Sequence, residues 1–463
     1  MPNILAPHQV GGEMVMHQIS TVSNMTQRTF DTAPQWLEPR NTPPRLLKRD
    51  VVVDVCVIGI GIQGLAAACE LARRGYKVAA IGSGCIGEGT TGHAAGILSK
   101  ETTIDLNVVA EELGKQRAQD LIKALTGVLE CAHKELGLSG EDFQSGSSLY
   151  FAAKRRHLSA LRSELQTRQE YGLSSSLWDG NEIKGWRGFA GGLELHGEYS
   201  VHPVRLLNAL AAVVTGKGGY VFEDSPVQAK SWFHNGKKFI VRAGQHFITC
   251  RHLVLATGIK GLDFKEQDDL SKLIVPAVSH VLVTEPSPEL LKLSRETGVI
   301  NIWDSSELYH YGRILSDGRL LVGGEETPGV VASSALPASD PYIQRLYNWA
   351  QEHYIGKLPP ISCAWRASLV IPADGLPLLK VHQIGDSLLI SAITDGIPFG
   401  LLLGKVIARA IQSRGADIDQ LLSYTRRRVM KARLLSLLPK TGRVRALSLQ
   451  AAFTFLRLWD ALM

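Results

Sequence analysis

Apolar positions fall into three patterns along the chain. Runs made mostly of β-branched and other apolar residues at 51–58, 76–81, 253–258 and 387–393, interrupted only at single polar positions such as Asp54 and Lys77, predict buried strands. Apolar residues at helical spacing predict helices over 62–74, 104–137, 204–214, 341–353 and 395–411; in the second of these the stripe is Leu106, Val109, Leu113, Leu121, Leu125 and Leu129. Shorter strand patterns lie between them at 147–152, 220–222, 229–250, 274–284, 308–315 and 319–324, with Asn235-Gly236 and Asp317-Gly318 marking turns. A charged helix leads to Arg168, and residues 177–199 read as rich in loops. Buried strands hundreds of residues apart, with mixed strand and helix material between them, imply a domain assembled from separated segments.

The stretch 51–99 carries the most specific pattern. Gly59-Ile60-Gly61-Ile62-Gln63-Gly64 stands between a strand and a helix, Gly75 stops the helix, and a second strand follows. This is a βαβ unit with GxGxxG at its first turn, where a dinucleotide pyrophosphate binds. The first two glycines permit the tight turn and close backbone approach, Gly64 lets helix and strand pack closely, and bare amides at the helix N-terminus meet the phosphates. Such sites place Asp or Glu at the end of the second strand for the ribose hydroxyls. Here that strand ends Ala80-Ile81-Gly82-Ser83-Gly84, with no carboxylate. Either Ser83 or a water takes the contact, or the site has decayed.

Composition narrows the class. The 463 residues suffice for two or three domains with a large core, at 45% hydrophobic and 20% charged residues. The six cysteines (56, 69, 85, 131, 250 and 363) form no CxxC pair and no zinc spacing, and several sit in apolar runs. Reduced core thiols and a cytoplasmic compartment follow. No signal-peptide pattern and no membrane-spanning run is evident. The net charge of +6 is concentrated: eight basic residues and no acidic one lie between 426 and 445, leaving the remainder at 6 − 8 = −2. The basicity therefore belongs to a tail and not to a nucleic-acid-binding face. Residues 1–49 show no sustained period and read as an extended arm or disordered leader, with later starts available at Met14 or Met25.

Several motifs in order resemble the D-amino-acid oxidase-like flavoprotein family, which includes glycine oxidase, sarcosine oxidase and dimethylglycine dehydrogenase. They are 57–64, Gly89-Thr90-Thr91-Gly92-His93-Ala94-Ala95-Gly96, Tyr199-Ser200-Val201-His202-Pro203, Leu255-Ala256-Thr257-Gly258, 317–324 and Asp374-Gly375-Leu376-Pro377, together spanning roughly residues 50–420. The resemblance implies FAD, a two-domain fold and oxidation of a C–N bond next to a carboxylate. It implies an α/β architecture: a discontinuous Rossmann-type FAD-binding domain (50–104, 198–270, 363–425), a mixed α+β substrate domain (105–197, 271–362), the 1–49 extension and a basic amphipathic helical tail (426–463).

Site residues follow from the same resemblance. Gly59, Gly61, Ile62, Gln63 and Gly64 would hold the pyrophosphate, with Ser83, Thr90, Thr91, His93 and Ala95 bordering the cofactor. Val227 would lie by the adenine, and Ala256, Thr257 and Gly258 would close that side. A helix opening at Asp395-Gly396-Ile397-Pro398-Phe399 would aim its N-terminus at the flavin, where helix amides favour negative charge. Tyr309, Tyr311 and Arg313 alternate on one strand and would orient the substrate, Arg313 holding its carboxylate as in glycine oxidase. A second family arginine is unmatched, its place being taken by Leu369. The stretch 91–96 is similar to that around the flavin-linked histidine of dimethylglycine dehydrogenase. His93 therefore stands either as an attachment point for the flavin 8α-methyl group or as a non-covalent residue of the pyrophosphate loop.

The function expected is an FAD-dependent oxidoreductase acting on a small amino acid or secondary amine, by hydride transfer to flavin N5 and hydrolysis of the resulting imine. Two alternatives stand beside it. One is a quinone-linked amino-acid dehydrogenase held to a membrane surface, or to a partner subunit, through 426–463. The other is an assembly or scaffold protein that retains the fold without catalysis, motivated by Gly82 and Leu369.

Overall fold

The computed structural model describes residues 43–100, 105–259, 270, 273–331, 334–372 and 375–415. The basic tail and residues 1–42 of the extension lie outside them. Residues 43–49 have no regular structure, yet Leu47 is buried and Arg45 Nε pairs with Glu223 Oε2 at 3.2 Å.

The run Val51–Ile58 forms the middle of an eight-stranded sheet. It pairs in parallel with Val78–Ile81 on one side and His246–Leu255 on the other, with Val57 opposite both Ala80 and Val254. Tyr220–Phe222 and Ser387–Ile393 extend the parallel part, while Trp232–His234, Phe239–Ala243 and Leu378–Ile384 add antiparallel strands. Val55, Cys56 and Val57 are wholly buried, as the unbroken apolar run at 55–58 requires. Val55 and Val57 share one core with the helices Ile62–Arg73, Pro203–Gly216 and Ile397–Gln412. The first and last of these cross at backbone distance. A Cβ on Gly400 would lie 2.6 Å from Ile62 Cγ2, and one on Gly404 2.6 Å from Ala66 Cβ.

The second sheet has ten strands and is antiparallel except where Val299–Asp304 joins Phe143–Phe151. Its centre is Ile361–Pro372, Ile274–Thr284, Leu320–Pro328 and Tyr311–Ile314. The helix Pro341–His353 covers this sheet through Ile343, Leu346 and Ala350, beside wholly buried Trp186.

Three expectations change. The loop-rich reading of 177–199 gives way to the eleven-residue strand Gly191–Val201 and its neighbour Ser175–Asp179. Glu194 broke the apolar pattern, but it is buried and satisfied by Lys184 Nζ at 2.5 Å and Trp178 Nε1 at 3.1 Å. A helix, Pro288–Thr297, interrupts the strand-like stretch; it is only ten residues long, and its apolar stripe is the short pair of buried Leu290 and partly buried Leu293. The boundaries expected at 198 and 363 fall inside strands of the second sheet, because hydrogen-bonded pairing and not motif position sets where a strand belongs. None of the six cysteines is in a disulfide, but Cys85 and Cys131 are half-buried and not core thiols.

Candidate active site

The glycine turn is built by close approach. Gly59 takes φ +117°, and Ala256 O stands where a Cβ would be; Gly64 lies as tightly on Gly59 O. Gly61 is the N-cap of Ile62–Arg73 with no capping side chain, although Thr91 Oγ1 accepts from Ile62 N at 3.1 Å. That helix end opens on a cavity of about 1060 Å3. A second N-terminus, that of Ile397–Gln412, opens on the same cavity from Gly396, at φ +76° and again without a capping side chain.

Every residue expected at the cofactor or substrate lines this cavity except Gly64 and Arg313. Gly64 serves the packing of helix on strand. Arg313 lies 2% exposed beneath the site, where its Nη1 donates to Ala95 O at 3.0 Å and Val201 O at 2.7 Å, and its Nη2 to Gln144 Oε1 at 3.2 Å. Burial pushes the guanidinium down to about 9. In this arrangement the guanidinium joins three chain segments, whereas the expectation had it facing a substrate carboxylate. The alternation argument held for Tyr311 and Arg313, both in Tyr311–Ile314, but that face of a two-sided buried strand meets core as well as cavity.

The loop Thr90–His93 is a 3-10 turn fastened to the second sheet: Thr90 Oγ1 donates to Ser368 O at 3.1 Å, and Trp365 Nε1 to His93 O at 3.2 Å. His93 is buried, its Nδ1 lies 2.9 Å from Gly89 O, and burial lowers its pKa. The imidazole is thus neutral at physiological pH, with Nε2 the nitrogen that does not face Gly89. A side chain at residue 82 would have to displace Ile60, whose Cγ1 and Cδ1 crowd the place its Cβ would take. Glu88 lines the same end of the cavity and accepts from Cys85 N at 3.0 Å.

The opposite wall holds residues that sequence reasoning missed. Glu326 is buried and faces the cavity, with Ser279 Oγ 3.2 Å from its Oε1 and 3.3 Å from the Tyr311 hydroxyl. Burial raises Glu326 to about 7 and Asp395 to about 6, and it raises both Tyr309 and Tyr311 as well. Nearby, Asp304 Oδ2 meets His310 Nδ1 at 3.2 Å. The signal for Glu326 was Gly323-Gly324-Glu325-Glu326, two glycines before two acids on a strand, which marks a bulge.

These groups fit FAD. Two uncapped helix ends suit its anionic parts, and Gln63 Nε2 is buried in the cavity wall with no hydrogen-bond partner. The model of the FAD dependent oxidoreductase family matches residues 54–410. The chain belongs to that family. Gamma-glutamylputrescine oxidoreductase of Escherichia coli (strain K12) is 27% identical to this oxidoreductase over 297 residues, 63% of this chain and 68% of that protein. Glycine oxidase of Bacillus licheniformis is 26% identical over 380 residues, 77% of this chain and 92% of that one. Among solved structures, glycine oxidase from Bacillus cereus ATCC 14579 superposes with a TM-score of 0.65 at 20% identity, covering 82% and 99% of the two chains. The oxidoreductase is accordingly an FAD enzyme with the family's Rossmann-type cofactor domain. No helix among its described residues is long and apolar enough to cross a membrane.

Proposed function

We propose that this oxidoreductase oxidises the C–N bond of a small amine or amino acid to an imine that water hydrolyses. The observation that carries the reading is one cavity lined both by a phosphate-type glycine turn and by two tyrosines with the carboxyls of Glu326 and Asp395. Relatives named for an amine and for an amino acid support the substrate class. The chemistry FAD supplies when bound is acceptance of a hydride from the carbon that bears the nitrogen.

The chain's own residues bind and orient. Gly59, Gly61 and the amides at 62–64 would hold the pyrophosphate, with Thr90, Thr91 and His93 beside it and Val227 by the adenine. Glu88 would take the ribose contact for which Gly82 has no side chain. The N-terminus at Gly396 would stabilise negative charge on the cofactor's reactive edge. Tyr309 and Tyr311, kept protonated by burial, would act as walls and donors and not as bases.

The test is the visible spectrum of the purified protein, before and after anaerobic addition of amines and amino acids. The expected result is a yellow protein bleached by at least one of these. A colourless protein that FAD does not reconstitute would overturn the reading and favour a non-catalytic scaffold. Acid precipitation then assigns His93: colour kept in the pellet, and lost from it in His93→Ala, makes that residue the attachment point, whereas released colour makes it a lining residue.

A further inference from the structure

The charges that line the cavity are one-sided. Among its described lining residues are Glu88, Asp105, Asp304, Glu326 and Asp395, and none is Lys or Arg. A pocket that selects a substrate carboxylate presents a fixed cation, normally an arginine fork. Here Arg313 donates to Ala95, Val201 and Gln144, and Leu369 lines the cavity where a second arginine was sought.

Three of the acids have a role already visible. Glu88 stands at the glycine-turn end, bonded to Cys85 N. Asp105 Oδ1 accepts from the Tyr150 hydroxyl at 3.0 Å, and Asp304 meets His310. The other two are Glu326, which accepts from Ser279 Oγ at 3.2 Å, and Asp395, and both act electrostatically on Tyr309 and Tyr311, whose rings lie 6.0 Å apart at 49°.

The backbone goes out of its way to place Glu326. Pairing of Leu320–Pro328 with Ile274–Thr284 slips between Val278 and His280, so Glu325 and Glu326 together oppose Ser279. Glu325 takes φ +53° and Gly324 φ +141°, a left-handed conformation that a glutamate rarely adopts. The bulge sends Glu325 toward Arg345, whose Nε lies 2.8 Å from Oε2, and turns Glu326 to the cavity.

Resting on the proposed amine or amino-acid oxidation, we infer that the substrate is a cationic amine with no carboxylate next to its reacting carbon, received between Glu326 and Asp395 against Tyr309 and Tyr311. A carboxylate beside the amine would enter a pocket whose described lining carries buried Glu326 and half-buried Asp395 and no Lys or Arg, and like charge in a low-dielectric site is strongly disfavoured. An ammonium group gains attraction from both acids and from the faces of the tyrosine rings. Transfer of one N–H proton from the ammonium to the Glu326 carboxylate leaves a neutral amine and a carboxylic acid, and a neutral amine is the form that gives up a hydride.

The experiment uses FAD-loaded enzyme. Flavin content and reduction by dithionite are recorded first, and loss of either overturns the oxidoreductase reading itself. The oxidised enzyme is then titrated anaerobically with propylamine and N-methylpropylamine, and separately with glycine, sarcosine and acetate. Spectral perturbation reports binding and bleaching reports turnover. The expected result is binding of the two amines at least 100-fold tighter than of the three carboxylates. Glu326→Gln should weaken propylamine binding about 10-fold with flavin content unchanged, and Asp395→Asn should weaken it about 10-fold when binding is expressed per bound flavin. Tighter binding of glycine, sarcosine or acetate, no response to any probe, or unchanged amine binding in both variants overturns the inference while leaving the flavoenzyme reading intact.

Discussion

Glu326 and His310 occupy one wall of the cavity and make the protein's stability depend on pH. Burial raises Glu326 from 4.5 to about 7. Between those values the folded protein binds more protons than the unfolded chain, so stability falls as pH rises, by up to about 3 kcal/mol. For His310, burial pulls the pKa down, but the hydrogen bonds its ring donates to the Asp304 and Glu325 carboxylates outweigh it and carry it from 6.5 to about 9. Its contribution is complete below 6.5 and lost as pH climbs through 9. Both slopes have the same sign, so the melting temperature should fall between pH 5 and 9, and Glu326→Gln should flatten the part below pH 7. Arg313 gives a separate test. Arg313→Met leaves three buried acceptors without their donor, and a loss of roughly 3–5 kcal/mol is expected, read as a lower melting temperature together with lost FAD. An unchanged melting temperature with selective loss of amino-acid turnover would return Arg313 to the substrate. None of this was legible residue by residue. Glu325-Glu326 reads as the polar end of a strand, and the slip that aims Glu326 inward depends on Ser279 of a partner strand, almost fifty positions earlier. The spacing of Tyr311 and Arg313 was legible, but not which of them would find carbonyl oxygens to bond.

At the scale of elements, the chain's clearest signals were those in which local pattern and tertiary need coincide. Val51–Ile58, Pro341–His353 and Ser387–Ile393 are found where apolar run length and spacing put them. Gly191–Val201 escaped notice because its buried Glu194 is made acceptable by Lys184 and Trp178, and Pro288–Thr297 because its short stripe of Leu290 and Leu293 sits among strand patterns. The glycines of Ile397–Gln412 carry information of another kind. Gly400 and Gly404 read as helix-weakening residues, yet they let this helix touch Ile62–Arg73 along its backbone. Gly404→Ala adds a methyl that meets the Ala66 backbone carbonyl carbon at 2.6 Å, where neither partner can give way without parting the helices. A loss of about 1–3 kcal/mol is expected, larger than helix propensity would return. Because both helices open on the cavity, FAD affinity should drop along with melting temperature.

At the scale of the molecule, one cofactor pocket draws walls from both sheets. The glycine turn belongs to the first and Glu326 to the second, while Trp365 and Ser368 of the second hold the loop Thr90–His93 of the first. The discontinuous plan was legible because buried strands recur far apart. The way the two sheets share one pocket was not, since it depends on hydrogen bonds between residues more than 250 positions apart. The parallel pairing of Val51–Ile58 with His246–Leu255, and the seat of Ile397–Gln412 on Ile62–Arg73, have a temporal meaning. During synthesis the glycine turn leaves the ribosome early but lacks its strand neighbour for about two hundred residues and its covering helix for more than three hundred. Through that interval the apolar edge of the nascent first unit has no native partner, which is the circumstance in which chaperones and misassembly compete. Cofactor capture is therefore expected late, once residues near 400 are complete, and a chain truncated before residue 397 should purify without yellow colour.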